Sequence, residues 1–191
     1  MEWFPNYNYI LASKSPRRQQ LLESLGIPFT VKTYDIEENY PNNLAKEEIP
    51  VYLSVLKTEP FKKELKDRDL LITADTIVWL NGKVLGKPAD ENEAILMLKE
   101  LSGKEHQVIS GVSLTSVSKQ VSFHSLSNVH FKKLSEKEIN FYINHSNPFD
   151  KAGSYGIQDW IGIIGIISIR GSFYNVMGLP IQKLYEEILQ F

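Results

Sequence analysis

Strand-like and helix-like segments alternate along the 191 residues, which predicts an α/β or α+β fold. Three observations carry this. Residues 70–80 form a long apolar, β-branched run of strand character. Asn81-Gly82 follows it as a hairpin signal before Lys83-Val84-Leu85. Asp90 with Glu93, and Ser135 with Glu138, are capping pairs that open helical stretches.

The remaining elements can be justified in order. Residues 9–12 read as a short strand. Ser15-Pro16 then opens a helix, because Ser is a good N-cap and Pro fits the first turn. Leu21, Leu22 and Leu25 make its apolar stripe, and Gly26 is placed to end it. Residues 29–33 read as a strand, with an acidic group at 35–38 behind it. A second helix is predicted over about 46–58, with Pro50 near its start and Pro60 near its end. The helix opened by Asp90 runs to Leu101, with Gly103 after it. Two long strands follow at 107–117 and 121–131, then a helix from Ser135 to about Asn144. The apolar run at 161–169 reads as a buried strand, and a last helix runs from Pro180 to the end. No repeat or linker interrupts this order, so residues 1–191 read as a single domain.

Composition excludes several classes. Hydrophobic residues are 42% and charged residues 23%, as in an ordinary globular chain. The formal charge of −2 argues against a nucleic-acid binder, which needs a basic excess. With no cysteine there is no disulfide, thiolate zinc site or cysteine nucleophile. No basic leader followed by an apolar run begins the chain, and no stretch approaches the roughly 18 apolar residues of a membrane span. The expectation is a cytoplasmic protein with no membrane partner. The four histidines show no metal spacing, and no HExxH, GxSxG or Rossmann glycine pattern occurs.

Five segments could carry chemistry. Ser13-Lys14-Ser15-Pro16-Arg17-Arg18 puts two arginines in the first turn of a helix, where cations are disfavoured unless an anion compensates them. Phosphate would suit both the free amides and the guanidinium forks; the alternative is a plain cap with solvated arginines. Asp35, Glu37 and Glu38 could hold Mg²⁺ or orient water, or form an acidic loop. Asp75 stands inside an apolar strand, where a carboxylate is costly unless paired, metal-bound or neutral. Gly82 to Lys87 has the wrong spacing for a P-loop, which leaves Lys87 as a single phosphate contact or a solvated lysine. Residues 150–158, DKAGSYGIQ, carry two glycines that permit close backbone approach, and Gln158 could read a base edge.

Together these segments resemble the Maf family of nucleotide pyrophosphatases. Residues 11–29 read LASKSPRRQQLLESLGIPF, matching the family's opening LASxSPRRxxLLxxLGxxF. The ADTxV motif appears at 74–78, GKP at 86–88, LSGxxHxV at 101–108, DKAGxYGIQ at 150–158 and GLP at 178–180. Several long motifs in order are far more specific than any one. The resemblance implies a two-lobed, mixed and curved sheet flanked by helices, with a central cleft, similar to the inosine-triphosphatase fold. It implies Asp75 as proton acceptor, with Glu38 beside it. Ser13, Ser15, Arg17, Arg18, Lys57 and Lys87 would contact phosphate, and Glu38 and Asp75 would hold a divalent cation, Mg²⁺ or Mn²⁺. Arg17, Thr76 and Gln158 would set base choice, as in the dTTP/UTP branch. A homodimer is implied as well. Departures are Thr58 where Ala usually follows the lysine, and Asp159-Trp160 where a small residue is common after the Gln. The alternatives are a pyrophosphatase for non-canonical purine triphosphates such as ITP or XTP, and a nucleotide-sensing division regulator with little turnover.

Overall fold

The computed structural model describes residues 3–191. Strand β1 (Asn8–Leu11) leads into helix α1 (Pro16–Glu23), then β2 (Phe29–Val31), α2 (Glu48–Leu56) and β3 (Asp69–Leu80). The hairpin strand β4 (Lys83–Leu85), α3 (Glu91–Leu101), the long strands β5 (Glu105–Thr115) and β6 (Gln120–Phe131), and α4 (Glu136–His145) follow. The chain closes with α5 (Trp160–Gly165), β7 (Ile166–Arg170), α6 (Phe173–Met177) and α7 (Ile181–Gln190). The fold is mixed α/β. Its seven strands lie in the order β2-β1-β3-β5-β6-β7, with β4 paired to β3. β1 is parallel to both β2 and β3; β4 is antiparallel to β3, and β7 to β6.

The chain folds as two compact units, and the long strands β3, β5 and β6 contribute to both. The first comprises the chain through Thr76, Ser110–Ser125 and Gly178–Phe191. Leu11, Leu22, Ile49, Leu70, Leu71, Ile72 and Leu114 form its fully buried interior. Helix α2 lies unusually close to β5. A Cβ on Gly111 would stand 2.2 Å from the Pro50 carbonyl carbon, so only glycine admits the helix at this depth. Polar atoms enclosed there are satisfied in a chain: Thr73 Oγ1 donates to the Ser54 carbonyl at 2.7 Å, and the Ser54 and Ser113 hydroxyls meet at 2.8 Å. Thr58, the departure from the family's Ala, is buried. Its hydroxyl donates to the Val55 carbonyl at 2.7 Å and accepts from Gln120 at 3.2 Å.

The second unit comprises Ile77–Ile109 and Leu126–Met177. The Asn81-Gly82 turn takes positive φ at both residues, 50° and 85°, as a tight hairpin requires. Both expected helix starts form. Ser135 and Glu138 make a full capping box; Asp90 accepts from the Glu93 amide, while Glu93 reaches back to the Ala89 amide instead of its cap. The apolar run at 161–169 departs from expectation. Its first half is helix α5, and only its second half is strand, with Ile167 63% exposed. Glycine spacing decides this. Gly162 sits where a Cβ would meet the Ile157 carbonyl oxygen at 2.3 Å, and Gly165 lies against the Phe131 ring. Helical turns bring these glycines and Ile161 inward, whereas strand alternation would not.

His106 lies in this second core. Its ring stacks on Phe131, and Nε2 shares a 2.7 Å hydrogen bond with the Tyr155 hydroxyl; Nδ1 has no partner. Burial, with His130 adding a smaller push, lowers its pKa from 6.5 to about 4. Folding therefore favours the neutral ring. That contribution is complete above pH 6.5 and is lost as pH falls toward 4, because the unfolded state takes up the proton first. Between pH 7 and pH 4.5 the wild type should lose about 2 kcal/mol more stability than His106→Gln. Urea midpoints at the two pH values measure this, and parallel losses in both proteins would contradict it.

Candidate functional site

The strand run and the α1 start place most of the expected residues in the first unit. Asp75 sits on β3, its side chain 10% exposed. Such a carboxylate needs a cation or hydrogen-bond donors. Lys57 supplies both. It is the C-cap of α2, where the helix ends and its side chain turns toward β3. Its Nζ lies 2.7 Å from Asp75 Oδ1 and 3.0 Å from Glu38 Oε1. Glu38 comes from the segment between β2 and α2 and is 44% exposed, so it forms the outer side of this group. Three residues distant in sequence, Glu38, Lys57 and Asp75, are thereby brought together.

Beside them, the α1 start is more internally committed than its sequence suggests. Ser15 takes the N-cap position in extended conformation, but its hydroxyl caps no helix amide. The buried Ser13 Oγ instead accepts the Ser15 N–H at 3.2 Å, and the Ser13 carbonyl accepts from Gln19 at 3.1 Å. Arg17 is half-buried. Arg18 turns its guanidinium onto the protein's own oxygens: Nε to the Gly178 carbonyl at 2.8 Å, Nη1 to the Ala74 carbonyl at 2.7 Å, and Nη2 to Thr76 Oγ1 at 3.1 Å. Burial lowers its pKa, and the Asp75 and Glu38 carboxylates oppose that shift. Thr76 Oγ1 also meets Ser110 Oγ at 2.8 Å and the Gly178 carbonyl at 3.2 Å. Ser110 carried no signal in the sequence. Gly178 did, within the GLP motif, and its φ of +115° requires glycine.

Lys87 and Gln158 belong to the second unit, and both are exposed. Their segments meet there, since the Gly153 amide donates to the Gly86 carbonyl at 2.9 Å. Gln158 occupies a tight turn closed by the Asp159 amide on the Gly156 carbonyl at 3.0 Å. Asp159 accepts from the Tyr142 hydroxyl at 2.9 Å and pairs with Lys151 at 3.5 Å. A Cβ on Gly156 would lie 2.6 Å from the Asp159 carboxylate, which explains the glycine. Trp160, 38% exposed, rests on Phe141 with ring centroids 4.7 Å apart.

Among the described residues no group of three or more His, Asp or Glu side chains converges as a ready-made metal cage. The Glu38–Asp75 pair is a smaller donor set of hard oxygens already facing one positive charge. Mg²⁺ is commonly held by one or two carboxylates, with water and substrate phosphates completing its shell, so the pair fits such an ion.

Known proteins share this sequence closely. The profile of a family described as "Maf-like protein" matches residues 8–191. The dTTP/UTP pyrophosphatase of Bacteroides thetaiotaomicron is 55% identical over 183 residues, covering 95% of each chain. That of Phocaeicola vulgatus is 53% identical over 189 residues, covering 98% of each. Among solved structures, the Staphylococcus aureus Ham1 protein aligns with a TM-score of 0.47 and 16% identity, over 65% of this chain and 71% of its own.

The Lys57–Asp75 ion pair should show a measurable coupling. A double-mutant cycle of Lys57→Met and Asp75→Asn, read by urea unfolding, should give about 2 kcal/mol. Strictly additive losses would mean that the pair contributes nothing.

Proposed function

Because this chain belongs to the Maf family, we propose that it hydrolyses dTTP and UTP to the nucleoside monophosphate and pyrophosphate. One observation carries the reading at the level of the site. The Lys57 ammonium is held between the Glu38 and Asp75 carboxylates, beside the start of α1 with its two arginines. Charge of both signs at one strand position is what phosphoryl chemistry asks for, since it proceeds mainly by positioning and neutralisation.

In the proposed reaction, Ser13, Ser15 and Arg17 at the α1 start bind the triphosphate, and Lys57 neutralises its charge. Asp75 accepts a proton from a water as that water's oxygen bonds to the α-phosphorus. The bond from the α-phosphorus to the α,β-bridging oxygen breaks, and pyrophosphate leaves with the bonding electrons. A divalent cation, Mg²⁺ or Mn²⁺, would be held by Glu38 and Asp75 and would supply charge neutralisation at the phosphate oxygens. Phosphate contact by Lys87 and base choice by Arg17, Thr76 and Gln158 belong to the same proposal and rest on the family motifs alone. So do a cytoplasmic location and a homodimer. Among the described residues, no helix is long and apolar enough to cross a membrane.

A nucleotide panel scored for pyrophosphate against orthophosphate tests the activity. dTTP and UTP should be preferred, and pyrophosphate should be the first product. Asp75→Asn should lower kcat at least about 100-fold, the scale of a lost general base. Preference for ITP or XTP, orthophosphate as first product, or an active Asp75→Asn would each overturn part of the reading. The cation is tested separately. Mn²⁺ titration followed by electron paramagnetic resonance should show binding to the wild type and about tenfold weaker binding to Glu38→Gln. Equal binding by both would remove Glu38 from the ligand set.

A further inference from the structure

We propose that Arg18 is a positioning residue that brackets Asp75 from both sides, and is not a phosphate ligand. The inference rests on the activity proposed above and assigns this residue a different task within it. Each of its three guanidinium nitrogens donates to an oxygen of the protein. Two of those oxygens, the Ala74 carbonyl and Thr76 Oγ1, flank Asp75 in sequence on β3. Strand alternation sends the Thr76 and Asp75 side chains to opposite faces. Arg18 therefore fixes the backbone at Asp75 while leaving the carboxylate to Lys57.

The third oxygen brings in the GLP motif, which the reaction itself leaves unused. The Gly178 carbonyl accepts from both Arg18 Nε, at 2.8 Å, and Thr76 Oγ1, at 3.2 Å. It can face them because Gly178 adopts φ +115°. Thr76 Oγ1 and Ser110 Oγ, 2.8 Å apart, complete the knot. Segments from α1, β3, β5 and the turn before α7 thus converge on the two residues that flank Asp75. A planar fork with divergent donors can hold three acceptors at once; a lysine ammonium at the end of a flexible stem cannot reproduce that pattern.

This divides the possible roles by experiment. A phosphate ligand would be largely replaced by lysine, and its loss would weaken binding. A positioning fork would not be replaced, and its loss would fall on the chemical step. Arg18→Lys and Arg18→Gln should both lower kcat about 100-fold, the cost of a displaced reacting group. KM for UTP, the pyrophosphate inhibition constant and the calorimetric Kd for UTP should each stay within about threefold. Gly178→Ala, which keeps Arg18 but disfavours the carbonyl's orientation, should lower kcat about tenfold with the same flat KM. Near-wild-type kcat in Arg18→Lys, a tenfold rise in KM or Kd in either Arg18 variant, or wild-type kcat in Gly178→Ala would overturn the proposal. If the Arg18 variants fail to fold, Gly178→Ala decides it. If the wild type releases no pyrophosphate, the proposed activity falls, and the UTP Kd comparison still decides the role of Arg18.

Discussion

A carboxylate on a core strand needs a cation or hydrogen-bond donors, and in the first unit α2 brings Lys57 to meet that requirement at Asp75. Lys57 meets it directly at 2.7 Å, with Glu38 sharing the same ammonium. Lys57 can do so because α2 ends at Leu56 and lies close on β5, a position set by Gly111 and by the hydroxyl chain through Thr73, Ser54 and Ser113. The close backbone approach at Gly111 therefore bears on where the Lys57 charge stands. Such dependence is common in active sites, where a supporting shell fixes the groups that act.

Arg18 enters the same arrangement from α1. It adds a second cation near Asp75 and Glu38, and its hydrogen bonds tie the strand to the Gly178 turn. The guanidinium of Arg18 is bound to the protein's own carbonyls at Ala74 and Gly178. In the second unit Tyr142 and Lys151 converge on the Asp159 carboxylate, which lies 2.6 Å from where a Cβ on residue 156 would stand.

How far the sequence could be read depended on whether the signal was local. Both capping pairs and the Asn81-Gly82 turn formed as expected, because each rests on interactions within a few residues; the long strand through Asp75 also formed, although its pairing with β1 is long-range. The run at 161–169 differs from its expected strand because its hydrophobicity suits strand and helix alike; the approach of Ile157 and Phe131 to its glycines made the first half helical. Ser15 kept its N-cap position without its hydroxyl capping a helix amide, and its own N–H is accepted by Ser13 Oγ.

The family, the α/β class and the suspicion attached to Asp75 were determined by the sequence alone. Ordered motifs are one-dimensional facts, and an acidic residue within an apolar strand is costly wherever that strand lies. Tertiary structure alone decided which cation answers Asp75, that Glu38 shares it, and that Arg18 faces Ala74, Thr76 and Gly178. Those partners are separated by 18 to 160 residues. The spacing of a motif carries no information about which side chains the packing of distant segments will bring within hydrogen-bonding reach.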